Sequence, residues 1–547
     1  MIKQKTISSI EEGSTILLKN GLIVDGTGER GWIGNLLIKG SRIEQVTEKD
    51  IRVKGNILDC TGKVIAPGFI DAHSHYDWFL PSKGNIELKA PFTLQGITTF
   101  VGGNCGFSPA GFKKDTRYLP LIEELFKGAN DGISWKSMSE YFSRLKKTGM
   151  THNLISLAAH GTTRASIRAH DPSPLKREEM NEMLLLLEEA MDQGAPGVSL
   201  GLGYEPGIFA TREELGRIAR LVRRKDKILT VHARAFSALS GAYPLIPFGK
   251  PHNLIALEEL IELAHQTGVK LQISHLIFVG RKTWKTFPRA LAIIDKAISR
   301  GVDVKFDIFS YLCGSSIINV FLPPWFLARI PGIFSNRGAR TRLKLEFKIM
   351  ENRLGFGFED IQIACANHPE LNRYNGMFLS DIALERGLPP IDNYLDFVQK
   401  SSGTARVLIQ RYSSPEIVQE LMRHPASLFM TDAWVELSGV QNPAAFSCFP
   451  RFFQMAREQN VITLEEAIRK MTGASAERFN IRSRGLLRKG MAADITVFNW
   501  NTVCDGATVS STGAAPCGIE EVFINGIHTV RKGKIDSSLR PGQVVTA

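Results

Sequence analysis

The stretch NLIALEELIELAHQTGVKLQISH, residues 253–275, decides how the fold is read. Its first part carries apolar residues at helical spacing and stops at Gly268. The short apolar run after it reads as a strand that finishes on His275. The same order recurs elsewhere. SPLKREEMNEMLLLLEEAMDQGA (173–195) offers Ser173 as N-cap and Pro174 at the first helical position. Met180, Met183, Leu184, Leu187 and Met191 share its apolar face, and after Gly194 comes PGVSLGLGY. PRALAIIDKAISRG (288–301) likewise leads into VDVKFDIFSY. Helix, glycine, apolar strand and polar terminus is the rhythm of a parallel α/β protein. Its repetition through the middle of the chain favours a (β/α)8 TIM-like barrel over an open sheet.

The rhythm fails in three places. Residues 15–65 and 490–535 are short apolar runs punctuated by Gly and Asp-Gly, as in STILLKNGLIVDGTG and GIEEVFINGIHTV, and read as strands with tight turns. Two β-rich ends can pair, so the expected organisation is a small β-sandwich domain built from 1–65 and 481–547 around a catalytic barrel at 66–480. The third interruption, about 313–403, contains LPPWFLARIPG and scattered charge, and is expected as an insertion above the barrel.

Bulk composition narrows the function classes. The 547 residues are 43% hydrophobic and 22% charged, as in globular proteins. The net charge of +12 raises nucleic acid as a partner, but the densest basic runs, RRKDK (223–227) and RSRGLLRK (482–489), are short and lack interleaved aromatics. Neither nucleic acid nor a membrane is expected as a partner. No window reaches the roughly 18 apolar residues of a spanning helix, and the N-terminus lacks a signal-peptide core. Seven cysteines, an odd number, do not make a disulfide framework, so a cytoplasmic location with free thiols is expected.

In a barrel, chemistry sits at the C-terminal ends of the strands. The apolar runs finish on His73 and His75, on Cys105, on His232, on His275 and on Asp432, each a zinc-competent donor. Any one alone is more often a hydrogen-bonding histidine, a small buried thiol or a salt-bridged carboxylate. Their common position at strand ends is what points to metal. The remaining histidines take the ordinary reading, with His160 in LAAHG held open.

The motifs PGFIDAHSHYD, GITTFVGGNCGFSP, SLGLGYEPG, VHAR, ISH, FDIFSYLCGSS, LPPW and CFPRFF with ITLEEAIRKMT resemble the amidohydrolase superfamily, and within it the N-acyl-D-amino-acid deacylase (D-aminoacylase) branch. The ending SRGLLRKGMAADITVF is similar to the superfamily's C-terminal sheet segment. The resemblance spans nearly the whole chain. It implies that His73 and His75 hold one metal position completed by Asp432, that His232 and His275 hold another, and that Cys105 touches both. Soft sulfur and neutral imidazole favour Zn²⁺, one ion or two. A zinc-activated water would attack the acyl carbonyl of a small-molecule N-acyl compound, with Asp432 as general base and acid. Tyr204 would face the substrate, Phe309, Tyr311 and Ser315 would line the pocket, and Arg281 would reach an anionic group.

Two positions depart from the deacylase pattern. Ile277 stands where a lysine is expected two residues after the ISH histidine, and Ala444 replaces an arginine in NPAAFSCFPR. Both missing cations are, by the resemblance, those that grip an α-carboxylate. Either the substrate lacks a free carboxylate there, or Arg281 or Arg234 takes over. A ring-opening hydrolase of a cyclic amide or ester, a deaminase, and a non-catalytic binding or assembly relative are the competing readings. A homo-oligomer is compatible with such a barrel, though no residue specifies it.

Overall fold

A computed structural model describes residues 15–81, 89–113, 115–125, 132–244, 246, 249–508 and 511–546. The first fourteen residues, part of the N-terminus read above, lie outside them. Eight parallel strands form the barrel: Phe69–Asp71, Ile97–Gly102, Asn153–Ser156 (continued by Ala158–Ala159), Gly197–Gly201, Ile228–His232, Lys270–Ile273, Val304–Ile308 and Ser427–Phe429. Every pairing between neighbours in this series is parallel. The ring closes where Ala72 N donates to Phe429 O and Asp432 N to His73 O.

Helices between the strands cover the outside. His252–Thr267 ends on Gly268 in the left-handed conformation (φ 67°), which only glycine adopts without strain. The helix expected to begin at Pro174 begins instead at Arg177. Ser173 is diverted: its N–H donates to Asp171 Oδ1 (2.8 Å) and its carbonyl accepts from the buried Arg164 guanidinium (2.9 Å). Met180, Met183, Leu187 and Met191 are buried on the face the spacing predicts.

Strands from both chain ends are hydrogen-bonded into one nine-stranded sheet. The junction pairs Val64–Pro67 antiparallel with Ile495–Phe498. The sheet carries its own apolar cluster, including Leu18, Ile38, Ile65, Ile495 and Phe523. Asn525 and Gly526 (φ 50° and 77°) make the hairpin turn of the C-terminal half. Beyond the seventh barrel strand, Gly314–Ile317, Ile361–Cys365 and Arg406–Ile409 form a separate antiparallel sheet, accompanied by the helix Arg337–Leu354. Among the described residues no helix is long and apolar enough to cross a membrane.

Candidate metal centre

The strand ends bring His73, Cys105, His275 and Asp432 together with one donor atom each inside a sphere of mutual distances no larger than 4.8 Å. Cys105 Sγ lies 3.3 Å from His73 Nε2, 3.4 Å from His275 Nε2 and 3.7 Å from His232 Nδ1. Asp432 Oδ1 lies 3.3 Å from both His73 Nε2 and His75 Nε2. His232 Nδ1 and His275 Nε2 are 2.9 Å apart. All the ligand candidates drawn from the sequence therefore share one cluster.

Three members, Cys105, His275 and Asp432, have left-handed backbones (φ 55°, 31° and 49°) although none is glycine. Such backbone strain persists only when surrounding bonds enforce it. Asp432 N donates to His73 O (2.9 Å), and His275 N donates to Asp307 Oδ1 (2.7 Å). Cys105 O accepts from the Tyr204 hydroxyl at 2.8 Å. The loop of Cys105 also lies so close to Gly201 that a Cβ there would meet Cys105 O at 2.1 Å.

The donor set fits zinc. Tetrahedral zinc with ligands at about 2.0–2.3 Å separates neighbouring donor atoms by roughly 3.3–3.6 Å, and the pairs Cys105–His73, Cys105–His275 and His73–Asp432 lie at 3.3, 3.4 and 3.3 Å. The cluster holds protons that an ion would displace. Burial opposes charge on His73, His75 and His275, but Cys105 and the neighbouring carboxylates outweigh it and push all three up, His75 to about 9. Burial opposes charge on the Cys105 thiol, yet the adjoining His73 and His275 imidazoles hold it well below its ordinary value. Burial, reinforced by His275, pushes His232 down to about 4 and leaves its ring neutral. Burial raises Asp432, but His275 and the bond from His75 outweigh it and keep the carboxyl below its usual range.

Two supporting carboxylates were not singled out from sequence. Asp307, 1% exposed, accepts from His275 N and from Gln272 Nε2 (2.9 Å), and faces His73 Nδ1 at 3.4 Å. Asp71, fully buried, accepts from Thr431 N (2.9 Å) and Thr431 Oγ1 (2.6 Å) and from His73 N (3.3 Å), tying two ligand-bearing strand ends together. The signal available in sequence was a carboxylate inside an otherwise apolar strand, in FDIF and GFIDAH. His160, held open above, is no part of the cluster. It bonds the buried Glu214 (2.7 Å), which also meets Arg164 Nε at 3.3 Å.

A cavity of about 470 Å³ opens from the cluster, bounded by His75, Cys105, His232, His275 and Asp432 at one end. Tyr204 and Ser315 line it, as does Ile277. Three expected substrate contacts do not. Arg281 is exposed, because Gly280 N bonds Arg411 O and Lys282 N bonds Leu354 O, anchoring the segment against the insertion and turning the side chain outward. Phe309 and Tyr311 are buried behind the wall. Ser310 bonds Cys448, drawing the segment toward the helix Ala444–Glu458, and Tyr311 lies under the Arg451 guanidinium, 4.8 Å from the ring centre. Arg234 lines the cavity but is committed to Glu259 (3.1 Å) and to the carbonyls of Ile208 and Ala210. Ala444 is buried and outside the lining.

The barrel with a metal-competent cluster at its strand ends is the architecture of the metal-dependent hydrolases, and comparisons narrow it. A family model described as "Amidohydrolase family" matches residues 406–535. The chain is 28% identical to the D-aminoacylase of Alcaligenes xylosoxydans xylosoxydans, over 93% of each chain. It is 28% identical to the N-acyl-D-glutamate deacylase of the same organism, over 98% of this chain and 97% of that one. Among solved structures, the N-acyl-D-glutamate deacylase from Bordetella bronchiseptica, complexed with zinc and a phosphonate inhibitor that mimics the tetrahedral intermediate, superposes with a TM-score of 0.79 at 27% identity, covering 98% of this chain and 100% of that one. Over nearly its whole length this chain is similar to the amidohydrolase superfamily, and within it to the D-aminoacylase branch.

Proposed function

We propose that the protein is a zinc-dependent hydrolase that cleaves the amide of a small N-acyl compound. The observation that carries this reading is the convergence of imidazole, thiol and carboxylate donors from separate strand ends at the floor of one cavity. His73 and His75 would hold one zinc position together with Asp432, His232 and His275 a second, and Cys105 would face both, for one ion or two. When bound, zinc lowers the pKa of water toward about 7 and polarises the acyl carbonyl.

The residues of the chain supply the rest. Asp432, held below the usual carboxylate range, is ionised and able to take a proton from the attacking water and return it to the leaving nitrogen. Asp307 orients His275 through its backbone N–H, and Asp71 fixes His73 through its own. The Tyr204 hydroxyl is spent on Cys105 O, so it positions the thiol and presents its ring to the cavity. The proposed division of labour gives 66–480 the chemistry and 1–65 with 481–547 a structural sheet. Seven free cysteines support a reducing compartment such as the cytoplasm.

The test is metal content and amide hydrolysis on the same preparations. The purified protein should retain about one zinc or more per chain. Cys105→Ala should lose both metal and turnover, whereas Asp432→Asn should keep most of the metal and lose turnover. Wild-type protein without zinc, or an active Asp432→Asn variant, would overturn the assignment.

A further inference from the structure

The cavity beyond the cluster is built for hydrocarbon. Phe321, Leu322 and Trp325 form one side of it. Leu343, Phe347 and Met350 form another, at positions i, i+4 and i+7 of the helix Arg337–Leu354, and so on a single helical face turned toward the cavity. This wall belongs to the segment that interrupts the barrel rhythm.

The charges in the lining are already answered. Arg234 is held by Glu259 and two backbone carbonyls. Arg342 bonds Glu346 (2.8 Å) and lies 4.0 Å over the Trp325 ring, and Arg406 bonds Glu436 (2.7 Å). Among the described residues the lining contains no lysine, and Ile277 contributes apolar surface near His275. A carboxylate brought into such a space would lose its hydration and have to compete with Glu259, Glu346 and Glu436 for the arginines already paired there. A hydrocarbon chain would lose only unfavourable contact with water.

We propose that the substrate is an uncharged amide bearing an extended hydrocarbon chain, with its carbonyl at the His–Cys–Asp cluster and its chain along the wall of Phe321, Leu322, Trp325 and the Leu343/Phe347/Met350 face. The inference rests on the amide hydrolysis proposed above and names the substrate class of that same site. The chain can belong to the acyl group or to the amine. The shared chemistry is the same, and the two sources are separated by experiment.

Two homologous series test it with zinc-loaded protein: N-acyl methylamines of increasing acyl length, and N-acetyl alkylamines of increasing alkyl length. A third series carries a carboxylate at matched length. In one neutral series kcat/KM should rise roughly fourfold per methylene, the ratio expected when each CH₂ is removed from water. Calorimetric binding of straight-chain methyl ketones, which are not hydrolysed, should follow the same slope without depending on turnover. Met350→Glu should flatten both slopes, and the milder Met350→Gln should flatten them partly. Flat dependence in both neutral series, or tighter use of the carboxylated amides at equal length, overturns the hydrocarbon assignment while leaving amide hydrolysis intact. Absence of hydrolysis of every amide, charged or neutral, overturns the functional reading and this assignment together.

Discussion

The contact between Gly201 and the Cys105 loop offers a sharp perturbation of the site. A Cβ added at Gly201 would stand 2.1 Å from Cys105 O and 2.7 Å from Tyr204 Cε2, where ordinary contact begins at 3.4 Å. Relief requires a shift of about 1 Å or more, several times the roughly 0.2 Å within which metal–ligand distances are held. Cys105 would move most, since its carbonyl is the nearest atom and its left-handed backbone is already enforced by neighbours. Gly201→Ala should therefore cost about 1–3 kcal/mol of stability through overpacking, with loss of zinc affinity and a fall of about 10²-fold in kcat/KM from misplacement. The matched control lies on the same strand. Gly197→Ala would bring a Cβ within 1.8 Å of Ile228 O at the opposite strand end, with a similar packing cost and no ligand nearby. Thermal unfolding, zinc content and turnover should be measured on both variants. Equal zinc loss in the two, or full zinc and activity in Gly201→Ala, would refute the claim that this close approach sets the position of the thiol.

Two further outcomes are expected. Glu214→Gln should lower stability by about 3–5 kcal/mol, measured by denaturant unfolding, because it leaves the buried His160–Arg164 pair without its carboxylate, while zinc content stays unchanged. Burial raises Glu214, but His160 and Arg164 bring it below its ordinary 4.5, so its contribution in the wild type is present above that pH and fades as pH falls through the lower folded value. Ile277→Lys should place a cation in the cavity wall and raise kcat/KM for N-acyl amino acids relative to neutral amides by about 10- to 100-fold, the worth of one charge-assisted bond. An unchanged ratio would remove position 277 from substrate recognition.

The barrel was legible because its signals are local. An apolar helix face, a glycine in the left-handed conformation such as Gly268, and an apolar run ending in a donor depend only on neighbouring residues. The metal candidates were legible for the same reason, since a parallel barrel gathers its strand ends whatever lies between them. The start of the helix at Arg177 was not, because a distant guanidinium, Arg164, claimed the carbonyl of Ser173.

Pocket membership lies at the far end of that scale. From sequence Arg281 was expected to reach an anionic group in the pocket, yet it is exposed, while Ile277, four residues earlier, lines the cavity. Backbone bonds to Arg411 and Leu354, more than seventy residues away in sequence, set that difference. The sequence by itself determined the order of strands and helices and the kinds of atom delivered to the strand ends. Only the tertiary structure decided that Asp307 and Asp71 bond the backbones of the ligand candidates His275 and His73, that the cavity's arginines are already paired, and that a helix inserted after the seventh strand supplies its apolar wall. Periodicity and turn chemistry act over a few residues, whereas a buried charge finds its partner, and a cavity its wall, through contacts that chain position does not record.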